Sequence, residues 1–212
     1  YALLFDASLG VVIFLIILSV VRDYPENLKQ EQKKMHQELS RMGLLKSWRL
    51  AYFNPQNSLC GLYVALLNLP MVLLGSIWGG LFLQQANHFS ATEASFAPSL
   101  LFVGTIIGGP VVGWVSDRFQ KRIPLMMLGV IISFVLMITI IDVPMASITN
   151  IALLFFALGF FTSTQVLSYP LVAASNPKSI TATSVSVVSF MAISGYAVFQ
   201  PLFGWLMDAN FQ

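Results

Sequence analysis

The chain has 212 residues, of which 57% are hydrophobic and only 9% charged. A soluble domain needs roughly 25% charged residues for a wet surface, so the outer surface of this chain is expected to face lipid. A formal charge of +2 speaks against nucleic acid as a partner, and the single cysteine, Cys60, excludes an internal disulfide or a cysteine-built metal site. Tyr1 opens directly into an apolar run with no initiator Met and no signal-peptide pattern, so the chain reads as a piece of a longer protein.

Six apolar stretches are long enough to cross a hydrocarbon core as helix, at about 1–21, 57–85, 91–116, 123–141, 147–172 and 180–207. Helix is the form expected, because backbone polar groups in lipid must be satisfied within the segment. The first stretch is apolar apart from Asp6. A linker over 22–56 follows. Asp23 and Glu26 are spaced as a capping box, with Pro25 in the first turn. The helix they open carries Leu28, Met35, Leu39 and Met42 on one narrow face, and Gly43 can stop it. Leu44, Leu45, Trp48, Tyr52 and Phe53 then lead into the next stretch. The linker helix reads either as a membrane-surface helix joining two bundles or as a solvated tether, and His36 among its charges is expected to be solvated.

The second stretch has Asn68 beside Pro70, which frees the Leu66 carbonyl and bends the helix, and then Gly75, Gly79 and Gly80. The third opens on Ser90 and Glu93, spaced as a capping box, and carries Gly104, Gly108, Gly109 and Pro110. The fourth has no polar residue beyond Ser133 and Thr139 and is expected to face lipid. The fifth holds Gly159, Thr162, Ser163, Thr164, Gln165, Ser168, Tyr169 and Pro170; the sixth holds Ser194, Gly195, Tyr196 and Gln200. Polar residues at membrane depth face a bundle interior or a wet cavity. Tyr63, Asn68, Trp78, Gln165, Tyr169 and Gln200 are therefore the candidates for a solute cavity, although each could equally be a packing residue. The pairs Gly75/Gly79, Gly104/Gly108 and Gly109/Gly113 have G-x-x-x-G spacing and predict close helix packing. Trp48, Trp114 and Trp205 fall at interface level and read as anchors.

All eleven Lys and Arg lie in alternate connections: the linker, the loop with Arg118, Lys121 and Arg122, and the loop with Lys178. The other two connections, 86–90 and 142–146, have none. Basic residues collect on the cytoplasmic side, so the linker is expected there and the sixth helix ends outside. The third helix closes Pro110-Val-Val-Gly113-Trp114-Val-Ser-Asp117 and the sixth Pro201-Leu-Phe-Gly204-Trp205-Leu-Met-Asp208. One signature on two helices of opposite direction is what an inverted repeat predicts, as in many secondary transporters; the other reading is chance, since Gly, Trp and Pro are common near membrane interfaces.

Gly113-x-x-x-Asp117-Arg118-x-x-Lys121-Arg122 resembles the loop signature of the major facilitator superfamily, and Ala174-Ser175-Asn176-Pro177 and Gln200-Pro201-Leu202-Phe203-Gly204 resemble its tenth-to-eleventh-helix region. Many bacterial members carry an acid where Ser175 stands, so a role for that carboxylate is absent here. The resemblance implies an all-α polytopic membrane bundle, the C-terminal part of a major facilitator fold with inverted three-helix repeats. Residues 1–21 would be the last helix of an N-terminal bundle, 22–56 the cytoplasmic linker with its amphipathic helix, and 57–212 the C-terminal bundle without its last helix. The polar-rich stretches then line a path, and the first and fourth support it from outside.

Within the loop, Asp117 stands at the negative end of its own helix dipole, which costs about 0.3–1 kcal/mol without compensation. Arg118, Lys121 and Arg122 can compensate, as can the N-terminus of a neighbouring helix. The family reading makes Gly113, Asp117, Arg118, Lys121 and Arg122 a gating latch between bundles; the plainer reading makes the cations topology determinants and Asp117 a solvated neighbour.

No carboxylate, Lys or Arg lies in mid-span; Asp6 and Glu93 fall near the outer face and His88 in an outer loop. No nucleophile, metal set or carboxylate pair at depth suggests an enzyme, and no cofactor or metal is implied. The expected function is a secondary active transporter that moves a small organic solute by alternating access, with or without a coupling proton or ion, in a bacterial inner membrane. Its partners would be that solute, the bilayer and the N-terminal bundle. A multidrug/proton antiporter and a non-transporting membrane protein are the alternatives.

Overall fold

A computed structural model describes residues 2–21, 29–87, 89–142 and 147–210, and all of its regular structure is helical. The chain divides into two compact units, Tyr1–Gly43 and Leu44–Gln212. The first holds α1 (Ala2–Val20) and α2 (Lys29–Met42). The apolar side chains of α1 are exposed all round, as befits a helix that meets lipid. On α2, Met35, Leu39 and Met42 are less exposed than the charged positions around them. Gly43, at φ +78, ends α2 in the left-handed conformation that glycine adopts without strain. Asp23, Pro25, Glu26 and Leu28 lie outside the described residues, as does His88.

The second unit begins with α3 (Leu44–Tyr52), inside the stretch expected as linker. Its Ser47 and Ala51 are buried, and Trp48 stacks on Tyr52 at 5.0 Å and meets Phe190 edge-on at 6.0 Å. Five membrane-length helical segments follow: Pro55–Ile77, Ala91–Phe119, Arg122–Asp142, Ile148–Ser175 and Lys178–Leu206. Six were expected; the sixth is α1, whose described apolar run, Ala7–Val20, is shorter than a full span. The protein is an integral membrane protein.

The first of these segments is α4 (Pro55–Pro70) continued by a π-helical stretch, Met71–Ile77. Trp78 N–H donates to Leu73 O at 2.7 Å, and a short α5 (Gly79–Asn87) resumes. The expected single helix over 57–85 is therefore interrupted, and the break is a π stretch after Pro70 rather than a simple proline kink. The second segment is α6 (Ala91–Phe119), opened by a complete capping box of Ser90 and Glu93. Next come α7 (Arg122–Asp142), apolar and largely exposed, and α8 (Ile148–Thr162). A 3-10 stretch, Ser163–Leu167, joins α8 to α9 (Ser168–Ser175), and α10 (Thr181–Asn210) closes the unit.

Two helix pairings dominate the packing, α6 with α8 and α4 with α10. Lipid supplies no hydrophobic drive between helices, so they must gain van der Waals contact by close approach. Glycine permits it. A Cβ on Gly104 would fall against the Phe156 carbonyl, one on Gly108 would stand 2.6 Å from the Phe160 carbonyl, and one on Gly159 would fall against the Leu101 carbonyl. In the other pairing, a Cβ on Gly61 would stand 2.6 Å from the Met191 sulfur, and one on Gly195 2.9 Å from Ala65 Cβ. Gly104/Gly108 thus packs as its spacing predicts. Gly109 and Gly113 do not: nothing lies within 4 Å of either Cβ position. G-x-x-x-G spacing marks a smooth stripe on a helix but not the neighbour that fills it.

The two halves repeat. The shift that carries Pro110 onto Pro201 also carries Gly104 onto Gly195, the start of α6 onto that of α10 within one residue, and the π stretch onto residues 162–168, which contain the 3-10 stretch. Trp114 and Trp205 are equivalent in this alignment and similarly exposed, 67% and 65%. The α6–α8 and α4–α10 pairings exchange under the same shift, as two related halves require.

One end of the unit carries its cations. Arg122 Nη1 donates to Pro170 O at 3.0 Å, and Asn57 of α4 bonds Asn176, two residues before Lys178. These bonds place Arg118, Lys121, Arg122 and Lys178 at the end where α4 begins. At the other end, Phe89 packs in the cluster that holds Leu83, Ile140 and Ile148. The alternation of charge along the sequence is therefore a spatial segregation.

Gly104→Val should lower stability by about 1–3 kcal/mol or more, since the backbone of α8 cannot move aside as a flexible side chain would. Gly109→Ala should leave stability within about 0.5 kcal/mol. Thermal unfolding in detergent, followed by size-exclusion chromatography, checks both.

Candidate functional site

The two interrupted helices meet inside the bundle. In the α8–α9 segment the cause is local. Thr162, Ser163 and Thr164 hydroxyls donate to the carbonyls three residues back, Gly159, Phe160 and Phe161, at 3.1, 2.6 and 2.8 Å. Three consecutive back-bonds of this kind compete with the regular helix pattern and accompany its tightening to 3-10. In the α4 segment Pro70 has no N–H to give, and the chain widens to π geometry just after it. Counting about 1.5 Å per residue from the basic end, Met71 lies about 24 Å and Gln165 about 15 Å in, on either side of mid-membrane.

Met71 stands between the two breaks. Its sulfur accepts weak hydrogen bonds from Thr105 Oγ1 at 3.8 Å and Gln165 Nε2 at 4.0 Å. Thr105 also reaches the Leu101 and Gly159 carbonyls at 3.0 and 3.2 Å, which bridges α6 to α8 where the glycines bring them together. Gln165 is buried, and its Oε1 has no partner among the described residues; Ser168 Oγ is in the same position. Buried acceptors and hydroxyls left open in this way cost about 1–3 kcal/mol each, which a bound water or a polar ligand group would relieve.

The other sequence candidates fall around this point. The Tyr63 hydroxyl lies 2.9 Å from Thr164 Oγ1 and donates to Met126 O at 3.1 Å, so it ties α4 to the 3-10 stretch and to α7. Gly129 of α7 faces the same Thr164 side chain. Tyr63 also lines an apolar groove of about 640 Å³ between α4 and α7. Asn68, half-buried, precedes Met71 by one turn. Trp78 ends the π stretch with a buried indole N–H that has no partner among the described residues, and its ring lies 5.9 Å from Phe203 of α10. Tyr169 packs beside Cys60, Val64 and Val172. Gln200 is exposed on α10. Tyr63 and Gln165 are thus gathered at the broken helices, with Asn68 and Trp78 on either side of them along the α4 segment.

At the basic end a three-asparagine cluster joins α4 to α9. Asn176 Nδ2 donates to Asn57 Oδ1 at 2.7 Å and to Val172 O at 2.8 Å; Asn57 Nδ2 donates to Ala51 O at 2.9 Å and Asn176 Oδ1 at 3.2 Å. Asn54 caps α4 through Gln56 N and gives its amide to Asn176. Asn57 is 0% exposed, and its amide group is fully used. Sequence reasoning noticed Asn176 only in a motif and missed Asn54 and Asn57; Asn54 directly before Pro55, a cap signature, was the available signal.

The Gly113–Arg122 loop lies nearby. Gln120, at φ 54, turns the chain out of α6, and its Nε2 donates to Asp117 O at 2.7 Å. Asp117, Lys121 and Arg122 line a concavity of about 390 Å³ with Ser116 and Leu171. Asp117 and Arg118 are exposed, and among the described residues Asp117 makes no ion pair. Among the described residues no ion pair joins Asp117 to Arg118, Lys121 or Arg122, and Arg122 is turned to Pro170 O.

A bundle of membrane-length helices, repeated with opposite orientation and interrupted at equivalent positions of the repeat, has an architecture shared by many secondary transporters. Residues 1–192 match the Major Facilitator Superfamily, and the chain belongs to that family. A protein described as "Probable hexose phosphate transport protein", from Chlamydia pneumoniae, is 41% identical over 44 residues, which are 21% of this chain and 10% of that protein's length. No solved structure matches significantly.

Asn57→Ala and Asn176→Ala should each cost about 1–3 kcal/mol, because each leaves buried amide groups of the other unpaired. The double variant should cost clearly less than the sum. A thermal double-mutant cycle reads the coupling, and additive costs would contradict the shared network.

Proposed function

We propose that this chain is the C-terminal half of a secondary active transporter that carries a small organic solute by alternating access. Under this reading Leu44–Gln212 is one rocking bundle, and 22–43 is part of the cytoplasmic connection to the other. The supporting observation is the meeting of the two broken helices at mid-depth, with Met71 between them and the open acceptor of Gln165 beside it. Interrupted helices free backbone and side-chain groups where a solute can use them, and lipid cannot.

Gln165 and Asn68 are the residues assigned to solute contact, with Tyr63 and Thr164 holding the 3-10 stretch in place. The C. pneumoniae relative makes phosphorylated sugars the first solutes to test. In residues 44–212 every Lys and Arg is at the basic end, so the counter-charge for an anionic solute would come from the other bundle. Asp117 acts as the latch of the basic end, held there by a partner on that bundle.

Uptake into proteoliposomes by the protein carrying this chain tests the reading, with a panel of sugar phosphates, sugars and organic acids and with or without a pH gradient. Accumulation of one class is expected, and Gln165→Leu should reduce it at least about tenfold, the loss expected for an unpaired buried polar contact. Asp117→Asn should raise labelling of cavity cysteines from the cytoplasmic side. No movement of any solute by well-folded protein would contradict the assignment, and unchanged accessibility in Asp117→Asn would contradict the latch.

A further inference from the structure

We infer that α3 is an interfacial helix whose Lys46 and Arg49 hold the phosphate headgroup of an anionic phospholipid. One side of α3 is pinned to the bundle through buried Ser47 and Ala51 and the Trp48–Phe190 contact. Another side presents Lys46, Arg49, Leu50 and Phe53, spaced i, i+3, i+4 and i+7 on one face, which with Asn54 line an open concavity of about 620 Å³. The Arg49 guanidinium sits 5.9 Å from the Phe53 ring centroid, so the cation is held at the edge of the apolar part of the groove.

Charge names the ligand. There is no Asp or Glu between Glu38 and Glu93, and among the described residues neither Lys46 nor Arg49 forms an ion pair. A zwitterionic lipid would bring its own ammonium to this pair of cations; an anionic one brings only the phosphate they lack. The apolar half of the groove then separates lipid from soluble anion. Leu44, Leu45 and Phe53 are 81%, 89% and 69% exposed on a helix at the basic end of a membrane bundle. That surface belongs in the headgroup–acyl boundary, where long basic side chains reach the phosphates. A free phosphate ester would leave Leu50 and Phe53 uncovered. The inference rests on the membrane insertion of the unit and is independent of the transported solute.

Native mass spectrometry of the purified protein with added phosphatidylglycerol or phosphatidylcholine tests it. Unmodified protein should retain phosphatidylglycerol about tenfold more strongly or better, in line with about 1 kcal/mol per cation. Lys46→Gln/Arg49→Gln should abolish that preference, and Lys33→Gln/Lys34→Gln on α2 should keep it. Raising the ammonium acetate concentration should weaken phosphatidylglycerol retention by the unmodified protein and spare phosphatidylcholine, a readout that needs no variant to fold. Equal retention of the two lipids, a preference that survives in the double variant or in high salt, or displacement of the lipid by equimolar glycerol phosphate would each overturn the proposal.

Discussion

The close approach of α6 to α8 is the contact on which the rest of the bundle depends. Helices in lipid gain nothing by hiding apolar side chains from one another, so their separation is set by what stands between the backbones. Gly104, Gly108 and Gly159 leave almost nothing there. At that distance Thr105 of α6 reaches the Gly159 carbonyl of α8 as well as its own Leu101 carbonyl. The same hydroxyl touches the Met71 sulfur, and through Met71 the start of the π stretch is brought to Gln165. The α4–α10 pairing repeats the arrangement with Gly61, Ala65 and Gly195, so both broken helices are clamped from one side by a continuous partner.

Continuous and interrupted helices therefore have different work. α6 and α10 run unbroken for 29 and 30 residues despite Pro110 and Pro201, and they supply the rigid surfaces. The α4 and α8–α9 segments give up regular geometry near the membrane middle, where an unmet backbone or amide group is most costly. The hydroxyl run Thr162–Thr164 and the Tyr63 hydroxyl meet part of that cost, and on these segments Gln165 Oε1, Ser168 Oγ and Trp78 Nε1 are left open among the described residues. α7 stands apart: its outer face is aliphatic and aromatic, and its inner face makes the narrow contact of Gly129 with Thr164.

Much of this was legible in the sequence because lipid imposes simple rules. Span positions followed from runs of apolar residues, the Ser90/Glu93 capping box formed as spaced, and the grouping of cations at one end followed from their alternation along the chain. What depends on which face meets which neighbour was not legible. Gly109 and Gly113 share the spacing of Gly104 and Gly108 yet have nothing within 4 Å of their Cβ positions, because the α8 backbone passes only Gly104 and Gly108. Met71 gave no signal, since an unbranched thioether becomes a bridge only when Thr105 and Gln165 arrive from distant parts of the chain. Asn54 and Asn57 were passed over because the residue that closes their network, Asn176, lies more than a hundred residues on. Pro70 announced a break, but the widening to a π stretch depends on the packing of the residues after it.

These features make sense only if the unit threads lipid with its basic end on one side. Single cysteines at Gln120, Ser179 and Ser90, in a Cys60→Ala background, test this with a membrane-impermeant maleimide on intact cells. The account predicts labelling at position 90 alone, with 120 and 179 reached only after the membrane is opened. Labelling of 120 and 179 from opposite sides, or of all three without permeabilisation, would contradict it.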